Sequence, residues 1–220
     1  TKQALYELLY HDRKLLDYPD KNLSIILTED WPFFERYRKA ARENGLRFKE
    51  LAQLEEQAKT YIQNNGPVSS DELPIYGSVL WHSAIHWSGN WSGNANASRS
   101  VLEQLYSTGE LIIHHKRGTR KYYDLAEKHL PSRLLNADDP LPDDFEHQKW
   151  RVLRRIGAVG LIWNRPSDAW LNIWDLKSRQ RDKAFSELLD EGKILEIKVE
   201  DLKYALFCRS EDISIIETVL

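Results

Sequence analysis

The sequence predicts an α+β, mostly helical protein built from tandem winged helix-turn-helix domains. The first observation is an internal repeat: residues 102–112 align with residues 185–195 at a constant offset of 83, with Gly109 on Gly192. Second, each copy is followed by two strand patterns around a polar tip. Third, each copy is preceded by a helical pattern. Helix, short helix, helix and hairpin is the order of a winged helix.

The first two helices of each copy are predicted from apolar spacing and capping residues. Apolar residues recur on one helical face over residues 51–65, and a Gly-Pro pair closes this helix. Ser70 has the position of an N-cap for a short helix that begins at Asp71. In the second copy we expect Trp150 to Gly157 to belong to the first helix and Trp174 to Leu176 to the short one.

The strands follow directly after the glycine that ends each repeated helix. In the first copy they are predicted over Leu111 to His114 and Lys121 to Leu125. In the second copy they are predicted over Ile194 to Val199 and Tyr204 to Cys208. Glycine at the end of a helix permits the left-handed turn that redirects the chain into a strand.

These patterns divide the chain into four parts. Residues 1–50 are predicted to be a helical segment without a hairpin, the end of a preceding unit. Residues 51–130 and 147–220 are the two winged-helix domains, joined by an acidic, proline-containing linker at residues 131–146. The chain contains no methionine and begins at Thr1, so we expect it to be part of a longer protein.

Composition narrows the class of protein. With 220 residues, 41% hydrophobic and 30% charged, the chain falls outside the disordered, collagenous and disulfide-rich classes. No run approaches the ~20 apolar residues of a membrane span. Its single cysteine, Cys208, favours a reducing, cytoplasmic compartment, nucleoid-associated in a bacterium. The net charge of −3 gives no overall attraction to nucleic acid, so any affinity must come from local patches.

The tip of the first hairpin is the best candidate for such a patch. Four cations lie within six residues around Thr119, with His114 and His115 beside them: Lys116, Arg117, Arg120 and Lys121. Cations on a projecting hairpin suit contact with DNA phosphates or the minor groove. The alternative is an ordinary solvated turn whose charges prevent edge pairing. On a winged helix, the DNA interpretation is favoured.

Two further sets of residues lie at the starts of the repeated helices. The set in the second copy is basic, with one amide that suits a base contact: Lys177, Arg179, Gln180, Arg181 and Lys183. The set in the first copy is smaller and more polar: Asn96, Ser98 and Arg99. The alternatives are a solvated helix face for the basic set and an N-cap at Asn96 or Ser98 for the polar one. The second hairpin carries Glu200 and Asp201, which would repel phosphate, so we expect that side to pack against protein.

The sequence offers little sign of an active site. His82 and His86 have an i, i+4 spacing that zinc ligands use, but no third ligand is evident, and a structural role is favoured. Trp87 and Trp91 suit either stacking on a base or covering a small core. No nucleophile motif, phosphate-binding loop or dinucleotide fingerprint is present.

Several ordered motifs resemble the YcaQ/AlkZ-type winged-helix DNA glycosylases. They are Asp17-Tyr18-Pro19, Glu29 to Phe34, Gly66 to Ser70, Leu102 to Leu111, Arg120 to Leu125 and Leu130-Pro131. The resemblance implies hydrolysis of the N-glycosidic bond of alkylated or crosslinked purines in DNA, without a metal or other cofactor. Lys21-Asn22 stands where the family commonly has His-Glu.

The family's catalytic residues are a Gln-x-Gln or Gln-x-Asp triplet near the N-terminus, and no such triplet occurs near the start of this chain. We therefore expect the chain to begin after the residues that do the chemistry and to be inactive alone. Its expected partner is duplex DNA, bound mainly through phosphates by a monomer without membrane contact. The alternatives are a winged-helix transcription regulator and a protein-interaction module, neither of them catalytic.

Overall fold

The computed structural model describes residues 1–21, 23–46, 48–81 and 94–219, which form two compact units, Thr1–Pro140 and Leu141–Leu220. The α-helices are α1 Lys2–Tyr6, α2 Glu35–Gly45, α3 Lys49–Asn65, α4 Ala97–Thr108, α5 Ser132–Leu135, α6 Asp144–Val159, α7 Ser178–Asp190 and α8 Ile213–Val219. Within the described ranges, no helix is both long and apolar enough to cross a bilayer.

Across the described residues the strands form four antiparallel pairs, which confirms an α+β, mostly helical protein. The pairs are β1 Leu15–Pro19 with β2 Leu23–Leu27, β3 Ser78–Leu80 with β4 Asn94–Asn96, β5 Leu111–Arg117 with β6 Arg120–Leu125, and β7 Ile194–Ile197 with β8 Leu206–Arg209. A π-helical turn at Glu7–His11 follows α1, and 3-10 turns occupy Thr28–Phe34, Ala126–Lys128, Asp168–Trp170 and Ser210–Asp212.

The repeat found in the sequence has the same local structure in both units. After α4, Gly109 takes a φ of 85°, and Glu110 N–H donates to the Leu105 carbonyl at 2.9 Å. After α7, Gly192 takes a φ of 66°, and the equivalent bond joins Lys193 to Leu188, also at 2.9 Å. This is the helix-ending motif that glycine permits, and a hairpin follows it each time.

The two units are also alike upstream of the repeat, where equivalent residues lie 94 rather than 83 positions apart. The helices α3 and α6 end at Gly66 and Gly160, with φ values of 84° and 86°. Two residues later, Val68 exchanges two backbone hydrogen bonds with Tyr123, and Ile162 exchanges two with Phe207. Each hairpin therefore gains a short third segment. The stretch between α3 and α4 in the first copy is longer than the stretch between α6 and α7 in the second.

The short second helices are not where the sequence places them. The segment after Ser69 is a single turn, closed by Leu73 N–H donating to the Ser69 carbonyl at 3.1 Å, rather than a helix that begins at Asp71. Pro74 has no N–H with which to continue it. In the second unit the helical turn is Asp168–Trp170, and the segment around Trp174 is not helical. Left-handed residues at Asn172 and Asp175 interrupt any helix there.

The expectation that residues 1–50 lack a hairpin is wrong, since β1 and β2 pair from Leu15 with Leu27 to Pro19 with Leu23. Residues 16, 17 and 18 are all buried, so this strand lacks the alternating pattern that reveals one in sequence. The segment packs in the same compact unit as residues 51–130. The proposed division at residue 50 stays a prediction.

Tyr18 on β1 lies at the centre of the first core. Its ring packs edge-on against Trp31, Phe34 and Tyr106, with centroid distances of 5.3, 5.2 and 6.0 Å. The buried Arg38 guanidinium lies 4.1 Å from the Trp31 ring centroid, and Trp31 O accepts a hydrogen bond from it at 2.8 Å. These contacts join β1, the following 3-10 turn and α2 to α4.

The second unit has a core of its own. It brings together apolar residues of α6, α7, β7 and the segment between the two helices: Val152, Ile156, Ile162, Trp170, Ile173, Ala184, Phe185, Leu188 and Ile194. The predicted linker is partly structured. It includes α5, whose Leu134 is buried, and Asp139, which accepts a hydrogen bond from Arg36 at 2.6 Å.

Replacing Gly109 with Ala is expected to destabilise the first unit by about 2–4 kcal/mol. An L-residue in this left-handed conformation costs ~1 kcal/mol. A Cβ here would also lie 2.3 Å from Arg38 Cδ and 3.1 Å from Trp31 Cζ2, and overpacking costs ~1–3 kcal/mol more. The measurement is urea unfolding followed by tryptophan fluorescence. Gly118→Ala is the control, because Gly118 has a φ of 62° and open space around it. Equal losses for the two variants would contradict the close packing at Gly109.

Candidate nucleic-acid interface

The first hairpin forms a longer projection than the sequence indicates. Pairing of β5 with β6 continues to Arg117 opposite Arg120, so the connecting turn consists of Gly118 and Thr119 alone. Gly118 has a φ of 62°, as tight two-residue hairpin turns require. We call this hairpin the wing and residues 116–121 its tip.

The four cations of the tip have different surroundings. Lys116 Nζ lies 2.5 Å from Asp17 Oδ1, and that carboxylate is only 6% exposed. Lys121 is half-buried, its ammonium lies 5.9 Å from the Tyr106 ring centroid, and burial lowers its pKa. Arg117 and Arg120 are exposed. The two arginines therefore face water, while the two lysines are engaged with the body of the unit.

Both exposed arginines have contacts that a phosphate can compete for. Arg117 lies over the Tyr122 ring, 4.8 Å from its centroid, which orients a planar guanidinium. Arg120 pairs with Asp71 at 2.8 Å, with both side chains more than half exposed. Exposed ion pairs of this kind contribute ~0–1 kcal/mol. Arg120 can therefore exchange Asp71 for a phosphate at low cost.

The two wing histidines add no charge to the tip near neutral pH. Burial, with help from Arg13, lowers the pKa of His114 to about 4. Burial also lowers the pKa of His115, whose ring stacks on Tyr122 at a centroid distance of 4.4 Å. Both imidazoles are thus neutral at pH 7, and the positive charge of the tip comes from its lysines and arginines.

The turn at residues 69–72 connects the wing with the start of α4. Ser98 Oγ donates to the Ser70 carbonyl at 2.6 Å, and Tyr122 OH donates to Glu72 Oε1 at 3.0 Å. Burial raises the pKa of Glu72, but hydrogen bonds from Ser69 and Tyr122 outweigh burial and leave the pKa lowered. The turn therefore carries a second acid, besides Asp71, between the two basic regions.

The three residues predicted at the start of α4 have separate roles. Asn96 is the N-cap, and its side chain accepts a hydrogen bond from Arg99 N–H at 3.0 Å. Ser98 is buried, and its hydroxyl bonds to Ser70 and Asn96. Arg99 is exposed and pairs with Glu103 at 3.0 Å. Of the three, Arg99 has a charged group accessible from solvent.

The basic residues predicted at the start of α7 fall into an exposed group and a buried one. Lys177, Arg179 and Lys183 are exposed, and the Lys183 ammonium lies 3.8 Å from the Phe145 ring centroid. Arg181 is 5% exposed and donates to Asn164 Oδ1 at 2.6 Å, so it supports the unit. Gln180 Oε1 is buried, and no hydrogen-bond partner reaches it in the described part of the chain.

One Gln-x-Asp triplet occurs in this helix, Gln180-Arg181-Asp182. Asp182 is exposed and accepts a hydrogen bond from Asn164 at 2.9 Å. The family resemblance puts its catalytic triplet near the N-terminus, so no catalytic role is transferred to this one.

The sequence also singles out two histidines, two tryptophans and the acidic tip of the second hairpin. His82, His86, Trp87 and Trp91 lie outside the described residues. Glu200 and Asp201 are exposed between β7 and β8, and their proposed repulsion of phosphate stays a prediction.

A group of potential metal ligands at the base of the wing was not found from the sequence. His114, Asp124 and His129 have ligand atoms that all lie within 4.8 Å of one another. The residues are ten and five positions apart along the chain, and no regular spacing joins them. A register shift between Ile113 and His115 places His114 beside the other two.

Residues 1–217 match the sequence model of a family described as DNA glycosylase AlkZ-like. The match covers almost the whole chain, and the chain belongs to this family. The solved structure of Streptomyces sahachiroi DNA glycosylase AlkZ is similar in fold, with a TM-score of 0.50 and 18% sequence identity. That alignment covers 98% of this chain and 57% of the other. No curated protein matches the chain significantly.

Replacing Asp17 with Asn is expected to destabilise the first unit by about 1–3 kcal/mol. The substitution weakens the hydrogen bonds that Tyr10 OH and Lys116 Nζ donate to the buried Asp17 carboxylate, both at 2.5 Å. Buried polar groups that lose a partner cost about this much. The measurement is the free energy of unfolding in urea. Glu29→Gln is the matched control, since Glu29 pairs with Arg133 in the same unit but both are more than 60% exposed. If Glu29→Gln lowers the free energy of unfolding as much as Asp17→Asn does, burial of the carboxylate is not the reason for the loss.

Proposed function

We propose that this chain is the DNA-binding, tandem winged-helix part of a DNA-repair glycosylase. The intact protein is proposed to hydrolyse the N-glycosidic bond of alkylated or crosslinked purines. The observation that supports binding best is the pair of exposed arginines at a hairpin tip, in a member of the AlkZ-like glycosylase family. Because the chain spans 57% of the solved relative, activity and substrate are proposals for the whole protein.

The proposed interface of the first unit is centred on the wing tip. Arg117 and Arg120 flank the two-residue turn, and because they lie directly opposite each other in an antiparallel pair, their side chains lie on the same face of the wing. A guanidinium bonds a phosphate through two parallel N–H groups, and this favours arginine over lysine at such a tip. Thr119 is exposed in the turn and can donate its hydroxyl, and Arg99 extends the surface to α4.

The members of the predicted set that are engaged by other groups of the chain take supporting roles in this proposal. Lys116 and Lys121 fix the wing against the body of the unit, and Asn96 and Ser98 fix the start of α4. In the second unit, the exposed cations of α7 are the proposed phosphate contacts: Lys177, Arg179 and Lys183. Arg181 and Gln180 are excluded because their polar groups are buried.

The proposed chemistry requires little from this surface beyond orientation. A purine alkylated at N7 carries a positive charge and is already a good leaving group. The enzyme then has to position water and stabilise a developing sugar cation. Contacts to phosphates set the register of a protein on the duplex without reading sequence. Such binding suits an enzyme that must meet a lesion in any sequence.

Replacing Arg117 and Arg120 with Ala is expected to weaken binding to a random-sequence duplex and to lower its salt dependence. Each lost phosphate contact should reduce the slope of log affinity against log salt by about one. Fluorescence anisotropy at several salt concentrations measures both. Arg133→Ala is the matched control, because it removes an exposed arginine of the same unit that lies outside the wing.

An unchanged slope in the double variant would contradict phosphate contact by the wing. A strong preference of the wild-type chain for one sequence would favour a transcription regulator instead. No binding at low salt would favour a protein-interaction module.

Replacing Asp71 with Asn is expected to strengthen DNA binding by about 1.5- to 5-fold, since it removes the acid that Arg120 must leave. The same anisotropy titration measures this gain. In an Arg120→Ala background the gain should shrink, because the two side chains are then no longer coupled. A gain of equal size in both backgrounds would mean that Asp71 acts only through general charge.

A further inference from the structure

We propose that His114, Asp124 and His129 bind one divalent transition-metal ion of the zinc type at the base of the wing. The three side chains present ligand atoms within 4.8 Å of one another. Asp124 is 4% exposed, and the two histidines are half-buried. Two imidazoles and one carboxylate form a ligand set that suits zinc, with water in the fourth position.

Two local features of the backbone bring these residues together. A bulge in β5 leaves His114 as the extra residue, since Ile113 pairs with Tyr123 and His115 pairs with Tyr122. A bulge of this kind redirects a side chain away from the regular alternation. Downstream of β6, the 3-10 turn reverses the chain, and His129 N–H donates to the Ala126 carbonyl at 3.0 Å.

Only small movements separate this arrangement from a tetrahedral site. Bonds of ~2.0–2.1 Å to zinc place two ligand atoms about 3.3 Å apart. His129 Nε2 and Asp124 Oδ2 are already 2.8 Å apart. The third ligand atom, on His114, lies within 4.8 Å of the other two, so it has to approach them by at most about 1.5 Å.

Neighbouring groups orient the ligands as outer-shell partners do in metal sites. His114 Nδ1 lies 2.8 Å from His115 Nδ1, which leaves His114 Nε2 for the ion. Leu125 N–H donates to Asp124 Oδ1 at 2.8 Å. The other carboxylate oxygen, Oδ2, is the one that faces His129.

Two nearby cations oppose the ion and give the proposal a specific test. Lys128 Nζ lies 3.5 Å from Asp124 Oδ1, and Arg13 donates to the carbonyls of Ile113 and His114 at 3.1 and 3.0 Å. Lys128 partly neutralises the carboxylate, and Arg13 adds a positive charge beside His114. Removal of Lys128 should therefore tighten metal binding, although Lys128 itself is not a ligand.

The experiment is calorimetric titration of the tag-free chain with zinc chloride, together with the visible spectrum of the cobalt-loaded chain. One ion per chain and the d–d bands of tetrahedral cobalt are expected. His114→Ala and His129→Ala should each weaken binding by at least about tenfold. Lys128→Met should tighten it by about 2- to 5-fold.

Two controls separate this site from other histidines. His11→Ala removes an exposed imidazole beside Asp12 and should leave binding unchanged. A His82→Ala, His86→Ala double variant should also leave it unchanged. Circular dichroism identifies a variant that does not fold, and in that case His129→Gln, which keeps a polar side chain, replaces it.

Failure of the wild-type chain to bind zinc or cobalt would overturn the proposal whatever the variants do. Binding that survives the loss of His114 or His129 would overturn it as well. So would binding that disappears in the His82, His86 double variant.

Discussion

The buried carboxylate of Asp17 determines how the wing is attached to the rest of its unit. Its two oxygens accept hydrogen bonds from Tyr10 OH and Lys116 Nζ, both at 2.5 Å, and its backbone carbonyl accepts one from Tyr106 OH at 2.8 Å. A carboxylate removed from water must be satisfied by partners in this way. One residue of β1 thereby joins α4, the π-helical turn and the wing. Lys116 is thus held against the unit by a charge, while Arg117 and Arg120 remain in water.

This attachment also decides which cations are available to a partner. The tip looks uniformly basic in sequence, but Lys116 is neutralised by Asp17 and Arg120 is partly neutralised by Asp71. The same pairing recurs where Arg99 meets Glu103 and Lys183 meets Glu187. The net charge of −3 therefore reflects a surface where cations and acids alternate closely. The proposed interface would therefore depend on exchange of weak ion pairs and be sensitive to salt.

The sequence predicts the elements that are encoded by neighbouring residues and misses the contacts between residues far apart along the chain. The helices α4 and α7, their terminal glycines and the hairpins that follow are encoded within some 30 residues, and the structure confirms that they exist. The strands of the second hairpin are shorter than predicted, at Ile194–Ile197 and Leu206–Arg209. The strand β1 was missed because three successive residues are buried on it. The separation of Lys116 from Arg117 depends on Asp17, which is 99 residues from Lys116 along the chain. Burial of Ser98 and Arg181 likewise follows from tertiary contacts with Ser70 and Asn164.

The two repeat copies share the features that fold them and differ in the charge of their hairpin tips. Both retain the glycine-ended helix, the hydrogen bond across it and the bridge to the second hairpin strand. Their tips differ in sign, with Arg117 and Arg120 in one copy and Glu200 and Asp201 in the other. Because the shared features are those that fold the chain, the differing tips are free to contact different surroundings. A cationic tip suits a polyanion better than an acidic tip does, so contact between a hairpin tip and phosphate is proposed for the first copy alone.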